Sequence, residues 1–134
     1  MENKDTILKK YVYYHLAINS IHGIMHIPTR VGLNTFQLLY VGIVIMILPS
    51  VGLYISKNNK NTGNLICMLS ILGSAIFGTY FHFILISPNH VSQVPLTNIW
   101  GYLFHMTAYL VSLVDSVSVY KIYDLQFLDK YKNN

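Results

Sequence analysis

The stretch TFQLLYVGIVIMILPSVGLYIS, residues 35–56, contains no Asp, Glu, Lys or Arg. It matches the roughly 20 predominantly apolar residues that a helix needs to cross the hydrocarbon core of a bilayer. Working outward, three more stretches of similar length appear at about 11–29, 64–87 and 96–120. Breakers fall between them. Pro28 and Gly32 end the first stretch, the polar run 57–63 separates the second from the third, and Ser87-Pro88-Asn89 with Pro95 brackets the last loop. Pro49 lies inside the second stretch and is expected to kink it.

The composition agrees with this pattern. Hydrophobic residues make up 53% of the 134-residue chain and charged residues 10%, against roughly 25% charged in soluble domains. The expected fold is an all-α integral membrane protein, a four-transmembrane-helix bundle built by residues 1–134 as one domain. The net charge of +4 does not indicate nucleic-acid binding, because the lysines are confined to the ends and one short loop. Lys4, Lys9 and Lys10 precede the first span, Lys57 and Lys60 lie between the second and third, and Lys121, Lys130 and Lys132 follow the fourth. With four spans these segments share one face, leaving only Arg30 on the other. The positive-inside rule then places both termini in the cytoplasm. Aromatic residues such as Tyr13, Tyr14, Trp100, Tyr102 and Tyr120 fall near the expected span ends, where interfacial belts form.

Several chemistries are excluded by absence. The single cysteine, Cys67, rules out an internal disulfide, a Cys-based zinc site and a Cys-ligated iron–sulfur cluster. There is no Walker loop, G-x-S-x-G, His-Glu-x-x-His or pair of intramembrane carboxylates. No small-residue cleavage site follows the first apolar stretch, so a signal peptide is not expected.

The polar residues that remain inside the spans are mostly histidines. Ionisable groups at membrane depth are expensive and default to a functional reading. On the first span His15, Asn19, His22 and His26 fall within about 60° of arc at 100° per residue, a single seam that must face protein. His22 and His26 lie about 12 and 6 Å inward from Arg30, at a rise of 1.5 Å per residue. On the same scale His82 lies about 9 Å inward from Pro88, and His105 about 15 Å from Pro95. Three helices therefore deliver imidazoles to one outer level. Small residues at intervals of four, Ser70, Ser74 and Gly78 on the third span and Ala108, Ser112 and Ser116 on the fourth, are expected to let those two helices meet.

Two cofactors suit such a cluster. Haem b needs two neutral imidazoles on opposite sides of its iron, and His22 with His82 or His105 meets that on depth. Copper or zinc needs three or four converging nitrogens, available from His22, His26, His82 and His105. The layout is similar to small cytochrome b membrane anchors in architecture, without a shared residue motif. Arg30 and His90, in or near the outer loops, are candidate entry residues. At the inner end His15 and Asp115 lie at matching depth and are expected to pair if the first and fourth spans are neighbours. Against the redox or metal-handling reading stand two others: a non-catalytic accessory subunit of a larger membrane complex or homo-oligomer, whose histidines only join helices, and a proton-coupled channel or transporter using His15 and Asp115.

Overall fold

The computed structural model describes residues 3–128. Most of these form four long helices, here called α1 (Lys4–Thr29), α2 (Thr35–Ser56), α3 (Lys60–Ile84) and α4 (Ile99–Phe127). A short 3₁₀ turn, Val91–Gln93, lies in the last loop, and there is no strand among the described residues. Three helices, α2, α3 and α4, are long and apolar enough to cross a membrane. α1 has the length, with 26 residues, but its apolar surface is interrupted by the polar seam.

Asparagines set most of the helix starts. The side chains of Asn3, Asn34, Asn59 and Asn98 each accept a backbone N–H in the first turn that follows them. α1 and α3 therefore begin well before the apolar stretches expected at 11 and 64, and α4 begins after Asn98 rather than at 96. At the other end of α1, Arg30 takes a left-handed conformation (φ 55°) and its N–H caps His26 and Ile27.

Neighbours around the bundle follow chain order, with α1 packed against α4 and α2, and α3 against α2 and α4. The closest approach between helices is at the end of α2 and α3 that carries Lys57 and Lys60, here called the inner end, the opposite end being the outer one. A methyl group added at Gly63 would run into the backbone of Ser56, and one at Gly52 would meet the Cys67 backbone nitrogen at 2.9 Å. The Asp5–Lys60 ion pair (2.8 Å) and the Asn64–Gln126 hydrogen bond (3.1 Å) tie α1, α3 and α4 at the same end.

Pro49 does not act as a simple kink. Residues Val41–Ile47 are π-helical, so Leu48 N–H reaches back to the Ile43 carbonyl instead of Val44. Pro49 itself has no N–H to give Ile45. Two carbonyls of α2 are thereby freed inside the bundle. Ser70 Oγ donates to Val44 O, and His15 Nε2 donates to Ile45 O at 2.9 Å.

The small-residue stripe of α3 is buried as expected at Ser70, Ser74 and Gly78. That of α4 is rotated. Its buried line runs through Phe104, Ala108, Val111, Asp115 and Ser118, while Ser116 is exposed and bonds the Ser112 carbonyl of its own helix. The wider Phe104 and Asp115 side chains need the space between helices more than a serine does. An apolar cluster of Leu8, Val12, Cys67, Ile71 and Ile122 fills the inner end, and Val31, Val94 and Phe104 fill the outer end. Between these clusters the buried polar side chains of His15, His22, Ser74, His82 and Asp115 are interleaved with Ile45, Ala108 and Val111. The exterior is apolar, with Phe36, Ile76, Ile86 and Leu113 each more than half exposed.

Candidate functional site

Three of the four expected outer histidines come together. His22 and His26 come from α1 and His82 from the last turn of α3. Each offers a ring nitrogen, and the three nitrogens lie within 4.8 Å of one another. The rings of His22 and His82 cross nearly at right angles with centroids 4.7 Å apart, and His22 and His26 do the same at 5.0 Å. Phe104 from α4 backs all three, with centroid distances of 5.0, 5.0 and 5.6 Å.

The hydrogen bonds around the cluster decide the tautomers of two of the three rings. Thr107 Oγ1 lies 2.7 Å from Leu103 O of its own helix and 2.8 Å from His22 Nδ1. A hydroxyl both donates and accepts, so it takes an Nδ1–H from His22 or, turned toward the ring, gives its hydrogen to Nδ1. His26 Nδ1 is 3.0 Å from the Val31 carbonyl and His82 Nδ1 is 2.7 Å from the Asn89 carbonyl. A carbonyl only accepts, so both nitrogens are N–H donors. His26 and His82 thus spend their protons on Nδ1 and keep their lone pairs on Nε2. His22 Nε2 and His82 Nε2 face each other at 3.0 Å, so an Nε2–H of His22 donates to His82 when the Thr107 hydroxyl serves His22 Nδ1.

Local structure explains how each orienting acceptor arrives. The left-handed turn at Arg30 folds Val31 back, so that Val31 N–H bonds His26 O at 3.2 Å while the Val31 carbonyl takes the ring. Asn89 is held by α2. In the capping box at its start Asn34 N–H donates to Gln37 Oε1 at 2.9 Å, which fixes that oxygen. Asn89 Nδ2 then donates to the same oxygen at 3.3 Å, and Asn89 Oδ1 is left buried without a partner. No family model, curated protein or solved structure matches this chain. Function has to be read from the residues.

The histidines line a cavity of about 510 Å³ of non-protein space, part of it open to the surroundings. Phe77, Phe81, Val41 and Ile45 form apolar walls, Gln37 and Asn89 lie toward the outer end, and Asn19 and Ser74 toward the inner end. Beyond Asn19 is the expected inner pair. His15 Nδ1 and Asp115 Oδ1 are 2.7 Å apart, and both side chains are fully buried. Asn19 Nδ2 lies 3.4 Å from each carboxylate oxygen, and Ser74 Oγ donates to Asn19 Oδ1 at 3.4 Å. With Ile45 O on His15 Nε2, this network joins all four helices.

The other expected residues stand apart from the cluster. His105 Nε2 donates to the Val94 carbonyl at 2.9 Å, which fastens the last loop to α4. His90 caps the short 3₁₀ turn by accepting from Ser92 N–H at 3.1 Å. Arg30 borders a surface depression with Ser87 and Gln93. Sequence reasoning missed Phe104, Thr107, Val31 and Asn89. Thr107 was visible in principle, being next to Ala108 on the expected contact face of the fourth span. The two carbonyls carry no sequence signal.

Proposed function

We propose that the chain is a four-span membrane protein that binds one transition-metal ion, copper or zinc, through Nε2 of His22, His26 and His82 in a membrane redox or metal-handling system. One observation carries this reading: a ring nitrogen from each of three histidines converges within 4.8 Å, and His26 and His82 have each committed an Nδ1–H to a backbone carbonyl. An Nδ1–H held by a carbonyl or hydroxyl, with Nε2 left free, is the usual way that a metal-binding histidine is oriented. Three neutral imidazoles without thiolate or carboxylate suit copper and zinc.

The 3.0 Å spacing of the His22 and His82 nitrogens favours an ion over haem b between those rings. Two bonds of about 2.0–2.1 Å in a tetrahedral arrangement set nitrogens about 3.3 Å apart, a small adjustment, whereas trans ligands need about 4 Å. Three protein ligands leave a further position facing the cavity, the pattern of sites that take a water or substrate.

The spanning role of α1 is supported by its outward face, where Ile21, Ile24 and Ile27 are exposed and the polar seam is turned inward. Both termini are assigned to the cytoplasmic side because the lysine-bearing segments meet at one end, where Asp5 and Lys60 pair.

The test is to purify the full chain in mild detergent and titrate it with zinc and with copper(I), recording the absorption spectrum of the same sample. One ion per chain, lost in His22→Ala and in His82→Ala, supports the reading. A Soret band would replace the ion by haem. Absence of both, with co-purifying membrane proteins, would leave the accessory-subunit reading.

A further inference from the structure

A cation held only by neutral imidazoles brings uncompensated charge into a low-dielectric interior. Buried charges persist when they are paired. No carboxylate lies among the three histidines. Asp115 of α4 lies fully buried beside Asn19, which lines the inner end of the cavity. We propose that Asp115 is the counter-charge of the metal site, set free when the proton it shares with His15 leaves. The inference rests on the metal-binding reading and adds its means of charge balance.

The geometry restricts the His15–Asp115 pair to a single mobile proton. His15 Nε2 must be an N–H, because its partner is the Ile45 carbonyl, for which Pro49 offers no backbone hydrogen. The 2.7 Å gap between His15 Nδ1 and Asp115 Oδ1 then holds one hydrogen. With that hydrogen present the pair is neutral overall, whichever atom carries it. Without it the pair is a neutral imidazole beside a carboxylate, with one net negative charge. Asn19 can support this state, since its Nδ2 faces both carboxylate oxygens.

α1 supplies His15 and Asn19, α2 the Ile45 carbonyl, α3 Ser74 through Asn19, and α4 Asp115 itself. Among the described residues, no further ionisable side chain is hydrogen-bonded to the pair. Along α1, His15 and His22 are about 10 Å apart at 1.5 Å per residue. A unit charge at that distance biases a buried ionisation roughly tenfold at an effective dielectric constant of about 20. An entering cation therefore favours loss of the shared proton, which passes to solvent. No other bond changes.

The experiment is zinc titration calorimetry of the full chain in buffers of different ionisation enthalpy, repeated between pH 6 and 8, which counts protons released per zinc. Asp115→Asn is the comparison. Its amide can donate to the His15 Nδ1 lone pair, keeping the contact while removing the proton and the latent charge. The wild type should release up to one more proton per zinc than Asp115→Asn and should bind zinc roughly tenfold or more tightly. Equal proton counts, with zinc bound by both proteins, overturn this inference and leave the metal site standing. Zero release by the wild type at every pH overturns it without reference to the variant, should the variant not fold. Failure of the wild type to bind either zinc or copper(I) overturns both readings.

Discussion

The bundle contains two buried polar clusters on the same seam of α1, and their hydrogen bonds balance differently. At the inner end, His15, Asn19, Asp115, Ser74 and the Ile45 carbonyl make a closed network in which donors meet acceptors across four helices. At the outer end, His26 and His82 spend their Nδ1–H on backbone carbonyls, His22 and His82 meet through Nε2 at 3.0 Å, and Asn89 Oδ1 stays buried without a partner. Both clusters are histidine-centred and both are packed by aromatic or apolar neighbours. Composition alone does not separate them. The difference teaches that a closed network holds the helices together, whereas an open one is a demand for a ligand.

Mutation can break that distinction, and the largest effect should come from removing an outer ligand. His22→Ala should abolish stoichiometric metal retention, read by metal analysis after gel filtration, while the helical circular dichroism is preserved. Damage at the inner end should appear in stability instead. Asp115→Ala leaves a buried imidazole without its partner, and breaking such a pair costs about 3–5 kcal/mol. A denaturant or thermal melt would detect it; a melt unchanged from wild type would show that the network contributes little. Smaller again is Thr107→Val, which removes the hydroxyl that orients His22. The expected loss is about 10–100-fold in metal affinity, with little change in the melt. His105→Gln should be the mildest. Its ring bonds the Val94 carbonyl, so metal affinity should match wild type and only the last loop should loosen, seen as faster hydrogen exchange around Val94. Loss of metal in that variant would return His105 to the ligand set.

Much of this arrangement was legible in the sequence because it depends on periodicity. The seam at 15, 19, 22 and 26 follows from 100° per residue. The lysine distribution set the helix ends in register, and matching depths brought His82 to His22 and Asp115 to His15. The choice among outer histidines was not legible. His82 and His105 had equal claims on depth. The issue is settled by the loop after α3, where the Asn89 carbonyl turns one ring inward, while the Val94 carbonyl holds the other away. Backbone carbonyls are the same in every residue, so a pattern of side chains does not announce them. The rotation of α4 is similar: a stripe of small residues suggested one face, and the bulk of Phe104 and the charge of Asp115 selected its neighbour.

The widened turn at Val41–Ile47 also has a consequence for how α2 reads as a ruler. It resets the angular phase of the helix midway, so that residues before and after it address different partners. Gln37 above the turn meets the outer loop, and Val44 and Ile45 within it meet α3 and α1. Deleting one residue there would leave the stretch as apolar as before and still able to cross a bilayer. The portion ahead of the deletion would nevertheless turn by about 100°, carrying Gln37 away from Asn89. A hydropathy plot would not register the change, yet the two ends of the bundle would no longer be indexed to each other.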